Sequence, residues 1–213
     1  MKKRKTFIIV IIISIALIIT LFIKNLFFPT LYTNKDFQIQ TYMSKIDQDQ
    51  DGLDDQTDIL NNTKEYLKTK PKYKSKYYAS GYPNDEYGVC TDVVAFALLN
   101  AGYDIQNLLN EDALANREIY NIETIDKNID FRRVLNLNTY FSRNAISLTT
   151  DINKIEEWQG GDIVVFEKHI GIISDHRTKK GIPYVLHHAN PFQIRYEENI
   201  LSKQKIIGHY RIS

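Results

Sequence analysis

Apolar residues first form an uninterrupted run near the start of the chain. Residues from Phe7 to Ile23 are uncharged and almost wholly apolar. A helix of these 17 residues would reach roughly 25 Å, which is close to the bilayer core of about 30 Å. The pattern therefore predicts a transmembrane helix. A cleaved signal peptide is the alternative, but no small-residue cleavage site follows the run.

The apolar residues then follow helical spacing. Residues 39–46 carry Ile, Tyr, Met and Ile at helical intervals, which predicts a short entering helix. A second helix is predicted from Asp54 to Lys68. A third is predicted from Cys90 to Ala101, and Gly102 ends it. Residues 105–144 look mainly helical or irregular.

Short apolar runs of strand length replace this spacing in the last third of the chain. They are Ile163–Phe166, His169–Ile173, Tyr184–His188 and Ile206–Ile212. Helices followed by a run of antiparallel strands predict an α+β fold.

Charge is distributed unevenly along the chain. Residues 1–24 hold five basic residues and no acidic ones, whereas 22 basic and 26 acidic residues leave a net charge of −4 on residues 25–213. A basic flank before an apolar span predicts a cytoplasmic N-terminus, and hence a single-pass cell-membrane protein whose main domain is extracytoplasmic. An acidic domain argues against a nucleic-acid partner. The one cysteine excludes disulfide frameworks and multi-cysteine metal sites.

These patterns divide the chain into four predicted parts. They are a cytoplasmic basic tail with the transmembrane anchor (1–24), a tether and entering helix (25–46), an acidic loop and helix (47–70), and a single compact domain (71–213).

The acidic loop is similar to a calcium-binding EF-hand loop, with the pattern D-x-D-x-D-G-x-x-D-x-x-D. Its glycine allows the sharp turn, and an aspartate replaces the usual glutamate at the last position. The predicted structural Ca²⁺ ligands are the side chains of Asp47, Asp49, Asp51, Asp55 and Asp58 and the backbone carbonyl of Leu53. The alternative is a solvated acidic turn whose Asp54 or Asp55 caps the next helix.

The single cysteine and two of the histidines are the candidate catalytic residues. Cys90 stands at a predicted helix N-terminus, where the helix dipole favours the thiolate. His169 begins a predicted strand and could accept the thiol proton. His187 and His188 lie on the next strand, on opposite faces. A hairpin between the two strands could pair one of them with His169. The alternative for Cys90 is a small buried packing residue.

Several motifs carry a resemblance to known families. Gly88–Val94 around Cys90, Gly161–Phe166 followed by His169–Ile172, and the segment Leu186–Ala189 resemble the catalytic segments of NlpC/p60-type cysteine peptidases. The stretch from Asp47 to Arg211 is similar to the YijF-like family, an uncharacterised bacterial domain of unknown function. Asp130–Val134 and Gly208–Arg211 belong to that likeness.

The resemblance implies a papain-like NlpC/p60-type fold, in which a nucleophile helix packs on an antiparallel sheet. It also implies a catalytic set of Cys90, His169 and His187, with no organic cofactor. His187 is favoured over His188 because it matches the single histidine of related sequences. The cysteine is followed by Thr91-Asp92 instead of the usual Ser-Gly, which leaves specificity open.

The implied activity is hydrolysis of amide bonds in peptidoglycan stem peptides or another cell-envelope substrate. The candidate substrate-binding residues are Arg132, Arg133 and Tyr82; either arginine could instead be a solvated charge. Two other classes stay open. One is an acyltransferase or lipid-directed thiol enzyme, and the other is a non-catalytic, calcium-braced wall-binding module.

Overall fold

The computed structural model describes the backbone of residues 2–27 and 31–212, and side chains over 9–20, 22 and 31–212. The basic side chains near the N-terminus and part of the predicted tether, residues 28–30, lie outside these ranges. The chain forms two units, Met1–Leu31 and Tyr32–Ser213.

Within the first unit, the described residues form one long helix, α1 (Lys2–Phe27). Its described side chains are exposed and mostly apolar. Over the described residues, no helix reaches the combined length and hydropathy required of a bilayer span.

The second unit contains the remaining helices and all the described strands. The helices are α2 (Asp55–Lys68), α3 (Cys90–Asn100), α4 (Ile105–Ala115), α5 (Arg117–Tyr120), α6 (Lys127–Asp130) and α7 (Val134–Asn144). The strands are β1 (Lys72–Tyr73), β2 (Tyr87–Gly88), β3 (Ile146–Ser147), β4 (Ile163–Phe166), β5 (His169–Arg177), β6 (Pro183–Leu186), β7 (Glu197–Glu198) and β8 (Ile206–Arg211). The predicted α+β class is confirmed.

Six of the strands form one antiparallel sheet in the order β3-β8-β4-β5-β6-β7. β1 and β2 pair separately in parallel. β4 has the predicted bounds, whereas β6 ends at Leu186, so His187 and His188 lie just beyond the ladder.

The sheet is covered on both faces because side chains alternate along each strand. Ile163 and Val165 of β4 face a core shared with α3, α4 and α7, whereas Val164 and Phe166 face a smaller cluster around Trp158. The Cys90 helix therefore packs on one face of the sheet.

Gly171 allows β6 to approach β5 closely. A Cβ atom at this position would lie 2.6 Å from Val185 Cγ1, 2.8 Å from the Leu186 carbonyl oxygen and 3.1 Å from His187 Cβ. A side chain would push the end of β6 away, so the glycine brings His187 towards the start of β5.

The predicted entering helix over residues 39–46 is wrong. A short 3₁₀ helix, Asn34–Phe37, precedes these residues, and residues 39–46 are not helical. The side chain of Gln159 accepts from the Tyr42 amide at 3.2 Å and donates to the Gln40 carbonyl at 3.2 Å. A distant side chain thus satisfies backbone groups that a helix would have paired internally.

Candidate active site

Cys90 is the first residue of α3, as the sequence predicts. The preceding residue, Val89, has an extended backbone, and its amide donates to the Asp92 carboxylate at 2.8 Å. This carboxylate fixes the backbone on which Cys90 begins the helix. The thiol is buried.

Burial shifts the pKa of the Cys90 thiol in the opposite direction to the shift expected from the helix dipole. Desolvation raises the pKa of the thiol from 9.0 to about 11, although the backbone amides of Ile170 and Thr91 act to lower it. The sequence-based expectation of a lowered thiol pKa is therefore wrong, because burial outweighs the dipole. The contribution of the Ile170 amide also shows that the thiol lies beside the residue that follows His169.

His169 and His187 form a direct hydrogen bond between their rings. His169 Nε2 lies 2.9 Å from His187 Nδ1, with the rings nearly perpendicular. Burial lowers the pKa of both imidazoles, to about 4 for His169 and about 3 for His187. Repulsion from His188 lowers both further, and repulsion from His169 adds to the effect on His187. Both rings are therefore neutral at pH 7. The structure brings together the two histidines that the sequence selected.

His188 is near this pair but packs against other rings. Its ring packs edge-on against Tyr73 and Tyr196, with centroid distances of 5.0 and 5.2 Å. Its buried Nδ1 atom has no hydrogen-bond partner among the residues that the structure describes. The adjacent histidines thus have different surroundings, as expected for neighbours in extended backbone.

Two further side chains surround the outer nitrogen of His187, and the sequence analysis missed both. Glu198 Oε2 lies 3.3 Å from His187 Nε2, and Gln193 Nε2 lies 3.0 Å from the same Glu198 oxygen. Glu198 belongs to a two-residue strand, which has no recognisable periodicity. No local signal could have identified it.

Arg132 is not a surface residue available to substrate. Its side chain is 2% exposed and forms a bidentate pair with Asp92, with Nε–Oδ1 and NH2–Oδ2 distances of 2.6 and 2.9 Å. It also donates to the Lys76 carbonyl at 2.5 Å. The predicted substrate-binding role is wrong, because both its charge and its donors are used inside the fold.

The other two candidate substrate-binding residues, Arg133 and Tyr82, differ in their exposure to solvent. Arg133 is exposed at the start of α7. The ring of Tyr82 packs between Phe96 and Phe131, and its hydroxyl donates to Asp104 at 3.1 Å. Tyr82 is half-buried and packs on the core, and its predicted contact with substrate stays a prediction.

The acidic loop gathers three of its predicted ligands. Carboxylate oxygens of Asp47, Asp49 and Asp51 all lie within 4.8 Å of one another. The backbone supports this arrangement, because the amides of Asp51 and Gly52 donate to Asp47 at 3.1 and 3.0 Å. Gly52 has a φ of 97°, a conformation that favours glycine.

The other two predicted carboxylate ligands, Asp55 and Asp58, have different surroundings from the first three. Asp58 is buried in the first turn of α2, and burial followed by repulsion from Asp49 and Asp51 raises its pKa to about 6. Asp55 instead accepts hydrogen bonds from the Gln48 amide at 2.8 Å and from the Tyr103 hydroxyl. Its expected place in the ligand set is therefore not supported, since both of its oxygens bond elsewhere.

Comparisons with known proteins agree with the resemblance to the YijF-like family of unknown function. Residues 60–212 match the family described as "Domain of unknown function (DUF1287)". The chain is 37% identical over 150 residues to "Uncharacterized protein YijF" of Escherichia coli (strain K12), a similarity that covers 66% of this chain and 72% of that protein. No solved structure matches. The chain therefore belongs to the DUF1287 family.

Proposed function

We propose that the chain is a membrane-anchored, extracytoplasmic cysteine hydrolase of the NlpC/p60 type, with a papain-like arrangement of helix and sheet. The observation that carries this proposal is the hydrogen bond between the half-buried His169 and the buried His187. The thiol of Cys90 lies near the backbone amide of Ile170, the residue that follows His169. Taking the polar rings of His169 and His187 partly or wholly out of water lowers the stability of a fold. A packing cysteine would not require them.

The chemistry follows from these three residues. As the thiol of Cys90 attacks an amide carbonyl and a carbon–sulfur bond forms, His169 takes the thiol proton. The protonated His169 then gives that proton to the departing amine as the carbon–nitrogen bond breaks. Water attacks the resulting thioester in the same way and releases the free thiol. His187 orients His169 throughout.

The proposed substrate is the stem peptide of peptidoglycan. The apolar run from Phe7 to Ile23 supports a membrane anchor, and the preceding basic residues support an outward-facing domain. Peptidoglycan is the amide polymer within reach of such a domain. The exposed Arg133 is available to a stem-peptide carboxylate, with which arginine forms bidentate pairs.

Incubation of the full-length chain with purified peptidoglycan tests the proposal. We expect mass spectrometry to detect peptide fragments released by amide cleavage, because the thiol and its base are both present. Cys90→Ala and His169→Ala should release none. His176→Ala is the matched control, since His176 lies on the same strand but bonds to Glu197 at 2.8 Å, outside the pair.

Other outcomes separate the alternatives. Cleavage of phospholipid vesicles instead of peptidoglycan would favour the lipid-directed thiol enzyme. Co-sedimentation with peptidoglycan that is unchanged in Cys90→Ala, without any product, would favour the wall-binding module.

We also propose that Asp47, Asp49, Asp51 and Asp58 hold one structural Ca²⁺ ion. Burial, and then repulsion from Asp49 and Asp51, raises the pKa of Asp58. A bound cation would offset this repulsion between carboxylates, which supports the proposal. The ion would stabilise the N-terminal end of α2, the helix that packs against α3.

Calcium is expected to raise the melting temperature of the full-length chain. At about 10 mM calcium, a hundredfold excess over a Kd of about 10⁻⁴ M would add about 2.7 kcal/mol, or about 5–10 °C. The rise should be smaller at pH 5 than at pH 7.5, because protons compete for Asp58 below its pKa of about 6. Differential scanning calorimetry measures both effects.

Asp47→Asn with Asp51→Asn should abolish this rise. Magnesium at the same concentration controls for ionic strength. An equal rise with magnesium, or in the double variant, would contradict the assignment.

A further inference from the structure

A chain of close polar contacts leads from β7 across both histidine rings. It begins at Glu198 Oε2, which lies 3.3 Å from His187 Nε2, and continues from His187 Nδ1 to His169 Nε2 at 2.9 Å. The position of each proton on this path depends on the neighbour before it. Glu198 is the outermost group and is partly open to solvent.

The side chain of Gln193 removes the main ambiguity on this path. Its Oε1 atom accepts from the Ala189 amide at 2.6 Å, which directs Nε2 towards Glu198. The two hydrogens of Nε2 have two oxygen acceptors, Glu198 Oε2 at 3.0 Å and the His187 carbonyl at 3.3 Å. Nε2 also lies 3.4 Å from His187 Nε2, but both of its hydrogens are already used.

The protonation of the two rings then follows from elementary rules. A carboxylate has no hydrogen to donate and would repel a lone pair 3.3 Å away, so His187 Nε2 carries a hydrogen that faces Glu198. A neutral imidazole has one N–H, so His187 Nδ1 is an acceptor. The 2.9 Å contact therefore requires a hydrogen on His169 Nε2. His169 Nδ1 is left with a free lone pair.

We propose that Glu198 is a positioning residue that sets the tautomer of His187 and, through it, that of His169. This inference rests on the proposed function for its importance, because His169 Nδ1 becomes the atom that accepts the Cys90 proton. Without an acceptor at position 198, His187 can carry its hydrogen on Nδ1. His169 Nε2 would then have to accept, and its own hydrogen would move to Nδ1, where it blocks the base.

Nuclear magnetic resonance detects these tautomers directly. In the full-length chain labelled with ¹⁵N-histidine, long-range ¹H–¹⁵N spectra at neutral pH distinguish protonated from unprotonated ring nitrogens. His169→Gln and His187→Gln assign the signals. We expect hydrogens on Nε2 of both rings in the wild type, and a second tautomer of both rings in Glu198→Leu.

Glu197→Leu is the matched control. Glu197 is the neighbouring residue on β7, but its side chain contacts Ser174 and His176 and not the histidine pair. We expect it to change the His176 signals and to leave His169 and His187 in their wild-type tautomers. In a hydrolysis assay, Glu198→Leu should lower kcat at least about tenfold with little change in KM, because a wrong tautomer impairs the base and not binding.

Two results would overturn the inference. One is a wild-type spectrum with the hydrogen of His187 on Nδ1. The other is a Glu198→Leu spectrum with both rings unchanged. Failure of the wild type to cleave any substrate would instead count against the proposed function, since the tautomers are measured without substrate.

Discussion

Alkylation of Cys90 by iodoacetamide at pH 7 is expected to be at least about a hundredfold slower in the native chain than in the urea-unfolded chain. Only the thiolate reacts, and burial raises the thiol pKa from 9.0 to about 11 in the folded state. Each unit of pKa above the working pH removes about nine-tenths of the remaining thiolate. Limited access to the buried sulfur slows the reaction further.

The dependence on pH distinguishes a high pKa from simple protection. Because the thiol is the neutral form, a raised pKa delays ionisation. The native rate should therefore rise about tenfold per pH unit from pH 7 to pH 10, while the unfolded rate levels off above about pH 9. Mass spectrometry of quenched samples measures both rates.

Fast native alkylation below pH 8 would contradict this prediction. It would indicate instead a resting thiolate paired with an imidazolium, which is the state that a helix N-terminus alone would favour. His169→Ala would then slow the reaction, whereas the neutral pair described above predicts little effect at pH 7.

Arg132→Met is expected to lower the free energy of unfolding by about 3–5 kcal/mol. The substitution removes one member of a fully buried ion pair and leaves the Asp92 carboxylate without its bidentate partner. Asp92 also holds the Val89 amide, so the start of α3 should loosen. Urea denaturation followed by circular dichroism measures the loss.

Arg133→Met is the matched control for Arg132→Met. The two arginines are adjacent, but Arg133 is exposed, and surface substitutions change stability by about 0.5 kcal/mol or less. Adding Asp92→Leu to Arg132→Met should recover part of the loss, because no unpaired buried charge remains. Equal losses in Arg132→Met and Arg133→Met would show that the buried pair has no special role.

The two arginines also illustrate the limits of sequence-based prediction. Their neighbouring positions look equivalent, and a role in binding carboxylates seemed equally possible for each. Arg132 is paired with Asp92, which lies 40 residues away in the chain, and no periodicity connects the two positions. Whether an arginine faces water or a buried carboxylate depends on how α3 packs against the segment before α7.

The candidate catalytic residues were easier to predict from the sequence than the roles of the two arginines. Helical spacing of apolar residues after Cys90 predicts the helix, and the short apolar run from His169 to Ile173 predicts the strand. Choosing His187 over His188 required a resemblance to related sequences. Its physical basis is that β6 ends at Leu186 and that Gly171 allows a close approach.

Local chemistry therefore accounts for α2, α3, β4 and the turn of the acidic loop, because spacing, caps and glycines act over a few residues. Packing accounts for the rest. The Gln159 side chain bonds to the backbone of Gln40 and Tyr42 within the non-helical residues 39–46. Burial reverses the expected shift in the pKa of Cys90. Glu198 reaches His187 only after β7 joins the sheet. Desolvation and long-range pairing depend on which surfaces meet, and a linear pattern of residues does not contain that information.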